Sequence, residues 1–271
     1  MLAIHSFFKN TTDIRSDIEL TAKQANLSCK FLKKHKFTTI LYTDRSCIDS
    51  FKYIPYDDII ILDISSIRSN IPQDFWSASK LISCSVTNEP YIHVDVDLFL
   101  IENCLAEYED EDFFVFHNES WIKDKSYNEQ LFKINQYFNY IDNNSLVYNN
   151  AIFGGKQYNI INQQINTLID SIIINNTIID EILFSKKPRK ENDGAKSVFV
   201  EQYLFNNLVK EELKMSTIPL VLKESIDHEN SRKIYALMKQ YQIIHLWVHK
   251  NAINNVIGLH ELMDMLEKKY F

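Results

Sequence analysis

A chain of 271 residues, 45% hydrophobic and 13% aromatic, is long enough to bury a full core as one large domain or two small ones. Its formal net charge of -7 and isoelectric point of about 5.6 argue against a general affinity for nucleic-acid phosphates or for an anionic membrane surface. Cys29, Cys47, Cys84 and Cys104 are widely spaced with no Cys-x-x-Cys pair, which predicts free, mostly buried thiols instead of a zinc site. No stretch approaches about 18 uninterrupted apolar residues and the first residues lack a basic segment, so no transmembrane span and a cytoplasmic location are expected.

In chain order, Leu2 to Phe8 predicts a strand and Ser16 to Lys34 a helix, with Ile18, Ala22, Ala25 and Leu32 near the helical apolar period. Thr38 to Tyr42 is a second strand, ending at Thr43-Asp44, and Asp58 to Ile64 a third. A helix follows over about Gln73 to Ser85, then an apolar strand over Pro90 to Leu100. Strand and helix alternate at short spacing, so the first hundred residues predict βαβ units and a largely parallel sheet. In such sheets ligands bind beyond the carboxyl ends of the strands, and Asp44, Asp63, Asp95 and Asp97 lie at or near those ends.

Further along, Asp112 to His117 and Asn150 to Phe153 predict two more strands, with a polar, aromatic helix around Asn128 to Tyr140 between them. The run Glu107 to Asp112 predicts a solvated acidic turn. Ser185 to Lys196, charged and bearing Pro188 and Gly194, predicts a loop, with a lid over an anionic ligand as its functional alternative. Ser197 to Leu213 predicts a helix, Gln242 to Val248 a late strand, and Ala252 to Lys269 an amphipathic helix.

The strand around Asp95 and Asp97 carries the chemistry. Apolar strands seldom hold unpaired charge, so the two carboxylates are expected to be paired, protonated, or facing a cation or a wet cleft. Alternation along a continuous strand places Tyr91, His93, Asp95 and Asp97 on one face. Divalent cations that engage phosphates are held by one or two carboxylates with water and substrate oxygens completing the shell, and Asp95-x-Asp97 supplies such a pair. His93 is expected to be a core histidine, and Trp76 to serve core packing.

Trp76-Ser-Ala-Ser-Lys80, then Tyr91-Ile-His-Val-Asp95-Val-Asp97, resembles the metal-binding region of GT-A-fold glycosyltransferases, nucleotide-sugar-dependent enzymes with a DxD motif. Asn150-Ala-Ile-Phe-Gly154-Gly155 is similar to the strand and turn lining the sugar and acceptor side in that family, although Ala151 stands where glycine is expected. His245-Leu-Trp247-Val-His249-Lys250 resembles the family's late histidine segment, without the Gly and the Lys-Pro-Trp ending of glycogenin-like relatives.

The resemblance implies a GT-A (Rossmann-like) α/β fold: a mixed, mostly parallel sheet flanked by helices, with a helical acceptor-side region. It implies one domain over 1–271, in which about 1–118 binds the nucleotide sugar and about 119–271 carries the acceptor side and C-terminal helix. The activity implied is transfer of a sugar from a nucleoside diphosphate sugar, UDP-linked by family frequency, to an acceptor hydroxyl on a glycan, lipid-linked or protein acceptor. The implied cofactor is Mn²⁺ or Mg²⁺, with Asp97 a direct ligand, Asp95 a ligand or the nucleotide-side partner, and His245 or His249 the third ligand. Donor binding falls to Asp95, Asp44, Tyr42, Lys80, Lys250 and Trp247, and the sugar and acceptor side to Asn150, Gly154 and Gly155. For an inverting reaction Glu201 is the candidate general base, against a plain reading as an exposed glutamate in the first turn of a helix.

Two other readings remain open. His93-Val-Asp95-Val-Asp97 also resembles the strand of haloacid-dehalogenase-like phosphatases, in which the first aspartate is a nucleophile, although Phe99 and the position ninety residues into the chain do not match that family. The third reading is a GT-A-like module that binds sugar or a partner without turnover.

Overall fold

The computed structural model describes residues 1–9, 18–68, 70–72, 75, 77–118, 147–184, 195–218, 243–246 and 256–271. In chain order the first elements are β1 (Leu2–Phe7), α1 (Ile18–Lys34), β2 (Thr38–Thr43), α2 (Ile48–Phe51), β3 (Asp58–Ile61), α3 (Ile64–Ile67), α4 (Ala78–Ser85), β4 (Tyr91–Val94) and β5 (Leu98–Leu100). After a 3₁₀ turn at Cys104–Tyr108 come β6 (Phe113–Asn118), β7 (Tyr148–Gly155) and α5 (Tyr158–Phe184). Then follow α6 (Ala195–Val198), a π-helical segment at Phe199–Phe205, α7 (Asn206–Glu212), β8 (Met215–Thr217), β9 (Ile243–His245) and α8 (Val256–Tyr270).

The fold is α/β, as expected: helices flank a mixed, mostly parallel seven-stranded sheet in the order β3-β2-β1-β4-β7-β6-β8, and β5 and β9 form a second, two-stranded sheet. The chain divides into two compact units, one from Met1–Leu62, Val94–Glu109 and Pro219–Phe271, the other from Asp63–His93 and Asp110–Ile218. The expected halves, 1–118 and 119–271, are each shared between both units.

In the first unit, β1 pairs parallel with β2, and β2 with β3. A parallel pair needs a crossover connection, and α1 supplies it between β1 and β2. Two faces of α1 are buried. Ala25 and Cys29 join Leu41, Cys47, Phe51 and Val96 in one apolar cluster, while Leu27 and Phe31 join Phe99, Ile244, Leu259, Met263 and Leu266 in another. The helix ends in a Schellman motif, with Phe37 N–H bonded to Leu32 O at 3.1 Å and Lys36 N–H to Lys33 O at 2.9 Å. Lys36 accordingly takes a left-handed φ of 68°, where glycine is the usual occupant.

In the second unit, β6 pairs antiparallel with β7 and parallel with β8, and all eight residues of β7 are buried, which fits a strand covered on both faces. Helix α4 packs on α5, which departs from helical geometry at Asn175. Glycine is obligatory at the end of β7. At Gly154, with φ +157°, a Cβ would lie 2.1 Å from Tyr91 O, and at Gly155 2.3 Å from Asp112 O. Close backbone approach therefore accounts for both glycines.

Three expectations are corrected. The third strand stops at Ile61, because the Asp63 carboxylate accepts from Ser65 N–H at 3.1 Å and Ser65 Oγ at 2.6 Å and caps α3. The predicted helix over Ser197 to Leu213 is found as one helical run over residues 195–212, but it is not α-helical throughout, since Phe199–Phe205 takes the wider π-helical pitch. Pro90 to Leu100 is not one strand. It stops at Val94, and Leu98 N–H bonds Asp95 O at 3.0 Å to close a turn, so the alternation that put the two aspartates on a strand face does not hold. The predicted helix around Asn128 to Tyr140, Trp76 and nearly all of the predicted lid, residues 185–194, lie outside the described residues.

Candidate functional site

The turn that interrupts the strand carries the two carboxylates. Asp97 is fully buried and Asp95 half-buried. Downstream of the turn, Leu98 stands opposite His245 in the antiparallel β5·β9 pair, and Leu246 N–H bonds Asp97 O at 3.1 Å. A bond between those flanking residues marks Leu98 and His245 as a non-hydrogen-bonded pair, the kind whose backbones lie closest. The ladder thereby brings His245 beside both aspartates.

One donor atom from each of Asp95, Asp97 and His245 lies within 4.8 Å of the others. His245 Nε2 is 3.9 Å from Asp95 Oδ2 and 3.7 Å from Asp97 Oδ1. Both separations are too long for hydrogen bonds. They fall within the roughly 3 to 4.2 Å that parts two donors each about 2.1 Å from a shared ion. Two hard carboxylates with one imidazole suit Mn²⁺, and Mg²⁺ by the carboxylates, so the donor set fits the group expected.

Beneath this cluster runs a buried polar chain. His5, fully buried on β1, has Nδ1 2.5 Å from Tyr56 Oη and Nε2 3.1 Å from Ser28 Oγ, and Ser28 Oγ donates to Leu98 O at 2.6 Å. Burial lowers the His5 pKa from 6.5 to about 3, against the opposing pull of the Asp97 carboxylate. Burial also raises the Tyr56 phenol well above its usual value, so both groups are neutral near pH 7. Sequence reasoning passed over this chain. The one available signal was a histidine inside the otherwise apolar start of β1.

The second unit holds another cluster of expected site residues. Lys80 on α4, buried, donates to Glu201 Oε1 at 2.5 Å and to Asn150 O at 3.0 Å. Glu201, on the π-helical segment, is only 4% exposed, which rules out its plain reading as a solvated glutamate. Asn150 Nδ2 donates to Glu201 O at 2.6 Å, and Asn206 Nδ2 to Asn150 Oδ1 at 2.9 Å. π-Helical turns recur at functional sites, and this one places the Glu201 carbonyl where Asn150 can reach it.

The remaining candidates are more dispersed. Tyr42 is buried in β2. Asp44 accepts from Lys9 N–H at 2.6 Å, Ser46 N–H at 2.8 Å and Ser46 Oγ at 2.5 Å, so its carboxylate closes the turn after β2. His93 is buried and stacks on Phe153 with ring centroids 5.3 Å apart, as a core histidine should. Cys29, Cys47 and Cys84 are buried and Cys104 is partly so, and all four thiols are free. Trp247, His249 and Lys250 lie outside the described residues. Among the described residues no helix is long and apolar enough to cross a membrane.

A model of a family of unknown function, DUF6734, matches residues 6–271. The chain belongs to DUF6734. The match takes in both units from residue 6 onward, so the aspartate turn and the Lys80–Glu201 cluster of this DUF6734 protein both fall inside the family's own span, and His5 lies one residue before it. No curated protein matches it.

Proposed function

We propose that this DUF6734 protein is a metal-dependent glycosyltransferase that moves a sugar from a nucleoside diphosphate sugar, UDP-linked, to an acceptor hydroxyl. The observation that carries the reading is the convergence of Asp95, Asp97 and His245 directly after β4 of a mostly parallel α/β sheet. Ligands of open α/β sheets gather beyond the carboxyl ends of the strands. The buried Asp97, with His245, would hold the cation, Mn²⁺ or Mg²⁺, and the half-buried Asp95 would serve as a further ligand or meet the nucleotide.

When bound, the divalent cation supplies Lewis-acid stabilisation of the charge developing on the leaving diphosphate, worth several kcal/mol. The family resemblance assigns Lys250 to the diphosphate and Trp247 to the donor. Glu201 serves the acceptor as base or as orienting carboxylate. Its ion pair with Lys80 and the bond from Asn150 to its carbonyl support the orienting role, because both fix where the carboxylate stands.

Titration calorimetry of UDP with Mn²⁺ tests the reading. Wild-type protein binds UDP in a Mn²⁺-dependent manner, and Asp97→Ala weakens that binding at least tenfold. Transfer from a UDP-sugar then requires the same metal. Absence of metal-dependent nucleotide binding in the wild type sinks the transferase. Tight binding without turnover of any donor points instead to a binding module, and an aspartyl-phosphate trapped on Asp95 to a phosphotransfer enzyme.

A further inference from the structure

The buried chain from Tyr56 to Leu98 has one consistent set of hydrogen positions. Ser28 Oγ–H is spent on Leu98 O, at 2.6 Å, so toward His5 the hydroxyl can only accept. His5 Nε2 must then carry the ring's hydrogen. A neutral imidazole has one N–H, which leaves Nδ1 bare to accept from Tyr56 Oη–H at 2.5 Å. The direction runs from the phenol through the ring and the serine hydroxyl to a backbone carbonyl, without a reversal.

That carbonyl is a junction. Leu98 N–H closes the turn onto Asp95 O, its C=O accepts from Ser28, its chain predecessor is Asp97, and across the ladder it faces His245. Every ligand of the candidate cation is thus within three residues of Leu98 or directly opposite it. The four groups of the chain come from separate pieces of the same unit: β1, α1, the segment between α2 and β3, and the start of β5.

We infer that His5, Ser28 and Tyr56 are positioning residues for the metal site, holding the Leu98 carbonyl so that Asp95, Asp97 and His245 keep the separation a divalent ion needs. This rests on the metal reading of the proposed function. Partners that orient ligands in this way typically change metal affinity by roughly 10–100-fold when removed.

The probe is Mn²⁺ alone, its free concentration followed by electron paramagnetic resonance, on wild type, Ser28→Ala, Ser28→Thr, Tyr56→Phe and Thr39→Val. Thr39 is a control, since its hydroxyl is buried in the same unit but donates to Asp57, at 3.1 Å, and not to the turn. The expected result is at least a fivefold loss of Mn²⁺ affinity in Ser28→Ala and Tyr56→Phe, recovery toward wild type in Ser28→Thr, and no change in Thr39→Val even where it lowers Tm.

Wild-type binding with both Ser28→Ala and Tyr56→Phe within fivefold overturns the positioning role and leaves the metal site standing. Equal loss in Thr39→Val also overturns it, since general loosening would then suffice. Failure of the wild type to bind Mn²⁺ removes the metal reading and this inference together. If Ser28→Ala does not fold, Tyr56→Phe, which takes away one hydroxyl at the far end of the chain, decides by the same threshold.

Discussion

Glu201→Gln is the sharpest test of the buried pair in the second unit. The Lys80 and Glu201 side chains are 8% and 5% exposed, and the ammonium also donates to Asn150 O at 3.0 Å. The substitution keeps size and shape and removes one charge, leaving the ammonium buried without the carboxylate. Breaking a buried pair from one side costs about 3–5 kcal/mol, because the remaining charge is desolvated. At about 2–4 °C per kcal/mol for chains of this order of size, Tm falls by roughly 6–20 °C. The double variant Lys80→Met with Glu201→Leu removes both charges for apolar groups of similar volume and recovers much of the loss, giving a coupling energy above about 1.5 kcal/mol. Urea unfolding followed by far-UV circular dichroism on wild type, Lys80→Met, Glu201→Leu and the double variant yields the cycle, with Glu201→Gln measured beside them. A loss below about 1 kcal/mol in Glu201→Gln, with additive effects in the double variant, would refute the assignment of this pair as a buried, mutually dependent charge couple.

Three further outcomes are expected. Lys36→Gly relieves the left-handed residue of the Schellman motif and raises stability by roughly 0.5–1 kcal/mol, read as an upward shift in urea midpoint, whereas Lys36→Ala leaves the midpoint nearly unchanged. Gly154→Ala forces a Cβ to 2.1 Å from the Tyr91 carbonyl, which backbone cannot yield cheaply, so the variant loses more than about 3 kcal/mol or fails to accumulate as soluble protein. For His5 the folded pKa of about 3 lies below the usual 6.5, so between those values the unfolded chain binds a proton that the folded chain does not. Stability of the metal-free protein accordingly falls as pH drops below 6.5, by up to about 1.4 kcal/mol per pH unit and about 5 kcal/mol in all, a limb that flattens in His5→Gln when unfolding is measured from pH 7 to pH 4.

The parts of the fold that depend on local pattern were legible in the sequence. The apolar period of α1 and the runs of β1 and β2 gave a helix and two strands within a residue or two of their observed ends. Asp95 and Asp97 stood out because charge in an apolar run is costly wherever the run ends up. Their geometry was not legible, since the strand breaks at Val94 and the segment after the turn pairs with β9, about half the chain away. The same distance hid the partner of Glu201. Its position after Val200 suggested an exposed helix start, and only the approach of Lys80, from an element 121 residues earlier, makes burial tolerable. Ser28 and Tyr56 were invisible for the complementary reason: each is an ordinary residue alone, and only alignment with His5, itself marked by its place in an apolar strand, gives them a direction.

The interleaved path of the two units has a consequence for biosynthesis. Asp95 and Asp97 leave the ribosome about 150 residues before His245, an interval of roughly 7–30 s at ordinary elongation rates. Throughout that interval the nascent chain carries two carboxylates with neither the imidazole nor the β9 strand that sets them in place, and the first unit lacks the helix α8 that covers Phe31 and Phe99. A chain interrupted anywhere before β9 therefore exposes apolar surface and cannot assemble the ligand set. The cation binding proposed for Asp95, Asp97 and His245 would then double as a certificate that synthesis has passed β9.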